Sequence, residues 1–236
     1  MPLGTLYLIP VTLGGDDLKR IVPEFNSDII KSLTYFIGEN AKATRAFLKL
    51  TSYPDISNAL VEELNQHTKN TDLRPLLQPL LDGHNIGLMS DAGCPGIADP
   101  GAEIVRQAHR QNIKVVPLIG PSSITLSIMA SGFNGQHFAF VGYLPIEKPQ
   151  RSKRLKELEK ISQQYNQSQF FIETPYRNGN LFSDCLATLN SDTLLSVAVN
   201  ITLPDEFICT KSVGEWKKLP APDFNKKPTV FGVYVG

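Results

Sequence analysis

Ser90-Asp91-Ala92-Gly93-Cys94-Pro95-Gly96-Ile97-Ala98-Asp99-Pro100-Gly101 is the stretch on which the fold turns. The run before it, Ile86 to Ser90, is short and apolar and reads as a buried strand. Asp99-Pro100 after it is a helix start signal, with Asp as N-cap and Pro at the first helical position. A long Gly- and Pro-rich loop from strand to helix is where open α/β sheets bind ligands. Gly93, Gly96 and Gly101 allow tight turns and close backbone approach. Asp91 falls at the carboxyl end of the strand, where a carboxylate meets hydroxyl or ammonium groups. A loop that only caps a helix is the plain alternative, and it rarely needs this length.

The same alternation runs outward on both sides. Leu6 to Ile9, Tyr35 to Ile37 and Lys114 to Leu118 read as strands. Helices are expected from an Asn40 cap to about Lys49, with Ala43, Phe47 and Leu50 on one face, from Asp55 to about Leu64, and from Leu73 to about Leu81. This pattern predicts βαβ units and a largely parallel sheet. Beyond Gly120-Pro121 strands outnumber helices: Phe138 to Val141, Phe170 to Ile172, Leu194 to Ile201, Phe207 to Lys211 and Thr229 to Val235, with helices over Arg151 to Gln164 and Arg177 to Leu189. A mixed sheet follows. The chain is therefore α/β, with a mostly parallel domain over 1–118, a mixed one over 119–236, and a ligand cleft expected between them.

The 236 residues carry 23 Lys plus Arg and 23 Asp plus Glu, so net charge alone holds the chain to neither nucleic acid nor an acidic membrane. Cys94, Cys185 and Cys209 form no CxxC pair, and His67, His84, His109 and His137 are scattered, so no zinc spacing or disulfide framework exists. Cys94 lies in the Gly-rich loop but lacks a basic neighbour in sequence to activate it. The amino terminus lacks the basic segment of a signal peptide, and no apolar run spans a bilayer; the expectation is a cytoplasmic protein, away from membranes and metals. GxGxxG, GxxxxGK[ST], GxSxG and HExxH are all absent, which disfavours a hydride-transferring dinucleotide enzyme. Ser122 or Ser123 in Ile119-Gly120-Pro121-Ser122-Ser123 can cap a helix or bind a ligand's polar group. Lys148, Arg151, Lys153, Arg154, Lys156 and Lys160 make one helix basic, either as a solvated face or as a phosphate contact.

The order of these motifs resembles the tetrapyrrole methylase superfamily, and most of all its branch that methylates a ribose 2′-hydroxyl of small-subunit ribosomal RNA. LYLIPVTLGGD, GENAK, SDAGCPGIADPG, IGPSS, GYLP, ETPYR and NITL stand here for LYLVATPIGNLGD, AEDTR, SDAGTPGISDPG, PGPSA, GFLP, EAPHR and ELTK. The resemblance implies S-adenosylmethionine as methyl donor, held between two α/β domains of a homodimer. Carried over by position, it implies cofactor contacts at Pro10 or Thr12, Ser90, Asp91, Ala92, Pro95, Ser122, Ser123, Glu173, Ile201 and Thr202. It leaves Glu39 as the catalytic carboxylate, with Asn40 and Arg45 toward an RNA substrate, and the basic helix adds Arg151 and Arg154 as RNA contacts. The chain departs from the branch at Pro10, Asn40, Ala41, Lys42, Tyr176, Asn200 and Leu203. Those departures keep two other readings open: methylation of a tetrapyrrole precursor or other small molecule, and a cofactor-binding module without turnover.

Overall fold

A computed structural model describes residues 2–65 and 73–236; His67 lies outside them. The chain divides into two compact units after Ser122. This is four residues beyond the boundary read from the sequence, because the 118–121 segment is tied into the first unit. The Leu118 amide donates to Leu8 O at 2.9 Å, and the Asn26 side chain donates to Ile119 O at 2.7 Å.

In the first unit five parallel strands take the order β3-β2-β4-β1-β5: β1 (Thr5–Ile9), β2 (Tyr35–Gly38), β3 (Leu60–Glu63), β4 (Ile86–Met89) and β5 (Lys114–Pro117). Successive residues point to opposite faces, and both faces are covered. Leu6, Ile37, Ile86 and Leu88 meet Leu77, Leu80, Ile104 and Ala108 on one side. These come from α4 (Arg74–Leu81) and α5 (Gly101–Arg110). On the other side Ile9, Phe36 and Met89 meet Ile30, Phe47 and Leu48. They come from α2 (Glu24–Ser32), which follows the short α1 (Leu18–Ile21), and from α3 (Ala41–Leu50). Asn40 caps α3 as expected, its Oδ1 accepting from the Lys42 and Ala43 amides at 2.9 and 3.1 Å.

The helix expected over 55–64 is not formed. Asp55 caps a single 3₁₀ turn, Ile56–Asn58, and the chain then extends as β3. Leu60 to Glu63 gain a backbone ladder along β2, and the exposed Glu62 and Glu63 suit a sheet edge. At the decisive loop, α5 begins at Gly101, with Pro100 as its flanking residue instead of Asp99. Asp99 still serves this terminus, because its Oδ1 accepts from both the Gly96 and Gly101 amides at 2.7 Å.

The second unit holds α6 (Ser123–Ser131), β6 (Phe138–Tyr143), α7 (Lys148–Tyr165), β7 (Ser168–Ile172), α8 (Asn178–Thr188), β8 (Leu194–Val199), β9 (Phe207–Ser212), α9 (Val213–Trp216) and β10 (Thr229–Tyr234). Its sheet, β6-β7-β10-β8-β9, is mixed: only β6 and β7 run parallel. Phe171, Val197 and Phe231 on one face pack with Leu155, Leu158, Phe182 and Trp216. Phe170 and Val230 pack with Phe133 on the other.

Candidate active site

Parallel pairing places the loops after β1, β2 and β4 at one edge of the first sheet, so residues far apart in sequence become neighbours. The Val11 amide donates to Gly93 O at 2.9 Å, joining the loop after β1 to the loop after β4. The Asp91 amide donates to Glu39 Oε1 at 3.1 Å, joining β4 to β2. Ser90 Oγ donates to Ala92 O at 3.1 Å, so its buried hydroxyl shapes the loop. Gly93 and Gly96 adopt φ of +72° and +83°, the left-handed region that favours glycine.

A pocket of about 440 Å³ opens in this unit. Val11, Thr12 and Asp16 line it from the first loop, Ala43, Ala46, Phe47 and Leu50 from α3, and Met89, Ser90 and Asp91 from the end of β4. The walls are mostly apolar, and the ionic groups among the lining residues are carboxylates, with no cation. Burial raises the Glu39 carboxyl above its ordinary pKa; the hydrogen bond from the Asp91 amide opposes the rise, and the charges of Asp99 and Asp91 add to it. Burial and the Glu63 charge raise Asp91 likewise. Burial also raises Asp99 against two backbone hydrogen bonds. Carboxylates held in this way favour a ligand that brings positive charge and an apolar body. S-adenosylmethionine, with its sulfonium and ammonium groups, fits that donor set.

Glu63 was not anticipated, since its segment reads as helix. As the last residue of β3 it accepts from the Ala41 amide at 2.7 Å and holds the start of α3. The short Leu60-Val61 apolar pair running into Glu62-Glu63 was the only available signal. Pro10 and Pro95 are buried within the loops, while Asp91 and Ala92 are exposed. Two of the residues expected on the substrate side are engaged within the fold. The Asn40 carbonyl oxygen is used by the α3 cap. Arg151 is buried and bound internally, Nη2 to Asp184 Oδ2 at 2.5 Å and Nη1 to Pro145 O and Ile146 O. Arg154 is turned to Glu157 at 3.3 Å. Arg45, half-buried on α3, makes no ion pair among the described residues. Cys94 points its thiol at Pro121 O, 3.3 Å away, and burial raises its pKa, which suits packing better than nucleophilic attack.

Ser122 ends the first unit and Ser123 opens α6 in the second. Glu173, also in the second unit, is buried. Burial pushes its carboxyl up, but hydrogen bonds from Arg177 at 2.7 Å and from the Thr174 amide outweigh this and leave it below the ordinary range. Asn200 and Thr202 have φ of +48° and +76°. The value is unusual for a β-branched residue and marks the Ile201-Thr202 turn as a constrained segment. Asn200 Nδ2 donates to both Asp205 oxygens at 3.0 Å, and Lys227 Nζ lies 3.0 Å from Asp205, so this turn is braced.

No family model matches the chain. The chain is 31% identical over 224 residues to Ribosomal RNA small subunit methyltransferase I of Vibrio cholerae, a match covering 94% of this chain and 73% of that protein. It is 32% identical over 209 residues to the protein of the same name from Bacillus subtilis, covering 87% and 67%. The like-named Halalkalibacterium halodurans protein is 32% identical over 188 residues, covering 80% of this chain and 61% of that protein. Loop architecture, carboxylate edge and these relatives together define an S-adenosylmethionine-dependent methyltransferase. The chain belongs to the ribosomal RNA small subunit methyltransferase I family.

Proposed function

We propose that the chain methylates a ribose 2′-hydroxyl of small-subunit ribosomal RNA, working in the cytoplasm as a homodimer. The observation that carries this reading is the carboxylate edge of the first sheet, where Glu39 meets Asp91 at the wall of the pocket in a chain of this family. Bound S-adenosylmethionine supplies a methyl group already attached to a good leaving group. What remains for the protein is to hold the reactants in line, which is worth up to about 7–11 kcal/mol, and to receive one proton.

In this reading Pro10, Thr12, Ser90, Asp91, Ala92 and Pro95 hold the cofactor from the first unit, with Ser122. Ser123, Glu173, Ile201 and Thr202 complete the set from the second. Asp91 offers charge to the cation. Glu39 accepts the proton of the ribose hydroxyl as the new C–O bond forms. Its raised pKa makes it a stronger base than an ordinary carboxylate. The homodimer is supported by apolar side chains left in solvent, Met129 at 74% and Ile146 at 63% exposed. No helix among the described residues is long and apolar enough to cross a membrane, and none of their His, Cys, Asp and Glu side chains form a group of three able to hold a metal ion.

Calorimetric titration with S-adenosylmethionine tests the division of roles. Wild-type protein should bind in the micromolar range, about −8 kcal/mol. Asp91→Ala should weaken binding about tenfold or more. Glu39→Gln should bind normally yet transfer about 10²–10⁴-fold more slowly. Equal loss of binding in both variants would refute the assignment.

A further inference from the structure

We infer that α3 is the element that grips the RNA backbone, through Lys42, Arg45 and Lys49. The inference rests on the reading that RNA is the substrate. These three cations recur at i, i+3 and i+7 and therefore share one flank of the helix. Lys42 and Lys49 are exposed and Arg45 is half-buried, and none of the three has an ion-pair partner among the described residues. The helix, AKATRAFLKL, contains no acidic residue. Its neighbouring face, Ala43, Ala46, Phe47 and Leu50, is a wall of the 440 Å³ pocket.

Charge then sorts the parts of a nucleotide. Asp16 and Asp91 line the pocket and Glu39 borders Asp91, so a phosphate is repelled from it. The adjoining flank of α3 carries three unneutralised positive charges that attract phosphates. A strand whose phosphates follow Lys42, Arg45 and Lys49 presents its sugars toward the pocket rim, the direction a ribose nucleophile must take. The other candidate is α7, where Lys153, Lys156 and Lys160 also recur at i, i+3 and i+7. That helix carries Glu157, already paired with Arg154, and contributes nothing to the lining of this pocket.

The test compares two triple variants: Lys42→Gln with Arg45→Gln and Lys49→Gln on α3, and Lys153→Gln with Lys156→Gln and Lys160→Gln on α7. Affinity for a labelled single-stranded RNA oligonucleotide is measured against salt, and methyl transfer to small ribosomal subunits is followed in parallel. The α3 variant should flatten the slope of log K against log salt by about 2, three contacts at about 0.7 each. That corresponds to about 100-fold weaker binding at 0.1 M salt, fading toward 1 M. KM for subunits should rise while affinity for S-adenosylmethionine stays unchanged. The α7 variant should keep the wild-type slope. If the α3 triple unfolds, Lys42→Gln with Lys49→Gln, both exposed, should still flatten the slope by about 1.4. An unchanged slope in an α3 variant that still methylates subunits overturns this inference alone, as does an equal effect from α7. Wild-type protein that binds S-adenosylmethionine but labels no subunits overturns the RNA reading and this inference with it.

Discussion

Glu39 and Asp91 lie 52 positions apart in sequence and meet because β2 and β4 are adjacent and parallel. Burial raises the proton affinity of both, and negative neighbours raise it further. A ligand that brings positive charge lowers those pKa values again, so cation binding must release protons wherever the free carboxyls are partly protonated. Calorimetry of S-adenosylmethionine at mildly acidic pH, in two buffers of different ionisation enthalpy, should show net proton release, and affinity should fall as the pH is lowered. Its demethylated product lacks the sulfonium charge and should show less release. Proton uptake, or release of equal size for both compounds, would contradict the electrostatic account. At this scale the sequence was informative where a residue acts locally. Asn40 as a helix cap and Asp91 at a strand end are visible in the chain itself. The partner of Arg151 is not, because Asp184 comes from α8, 33 residues on, and a basic residue in a charged helix carries no sign of being buried.

Two close packings can be probed by substitution. A Cβ on Gly120 would lie 2.3 Å from the Pro10 Cβ and 2.7 Å from its Cγ, atoms of a rigid ring. Gly120→Ala should therefore push the first loop off the 118–121 segment, costing about 1–3 kcal/mol of stability and raising KM for S-adenosylmethionine. Denaturant melts and initial rates check both effects, and an unaltered KM would separate this contact from the site. In the second unit, Arg151→Ala would leave the buried Asp184 with only the exposed Lys148 ammonium, 3.5 Å away, as ionic partner, at a cost of about 3 kcal/mol. The loss should appear in chemical unfolding, and at salt concentrations where the variant remains folded its RNA affinity should keep the wild-type slope. The elements themselves were mostly legible. Apolar runs bounded by Gly and Pro gave the strands, and the Ala43, Phe47 and Leu50 face gave the helix that walls the pocket. The 55–64 segment was misread because Asp55 is a sound cap signal. Only β2, supplying a ladder from elsewhere in the chain, decides that Leu60 to Glu63 extend.

At the scale of the whole molecule, a formally neutral chain reconciles an acidic site with an anionic substrate by keeping the charges in separate places. Carboxylates gather at the strand ends of the first unit, and unpaired cations lie along helix flanks. Net charge could not reveal this, since it sums over the surface that the fold partitions. The fold class was readable because strand and helix signals alternate in the first half and strands dominate the second. The proposed homodimer makes its own prediction: sedimentation equilibrium should give twice the chain mass, and a monomer that is fully active would remove it. The most direct test of the methyltransferase account uses small ribosomal subunits from a strain deleted for the gene, incubated with the protein and methyl-labelled S-adenosylmethionine. Label should enter the small-subunit RNA, and one linkage should become resistant to alkaline hydrolysis, as a 2′-O-methyl group requires. Bound cofactor with no label in the RNA, or label in RNA whose every linkage still cleaves, would contradict it.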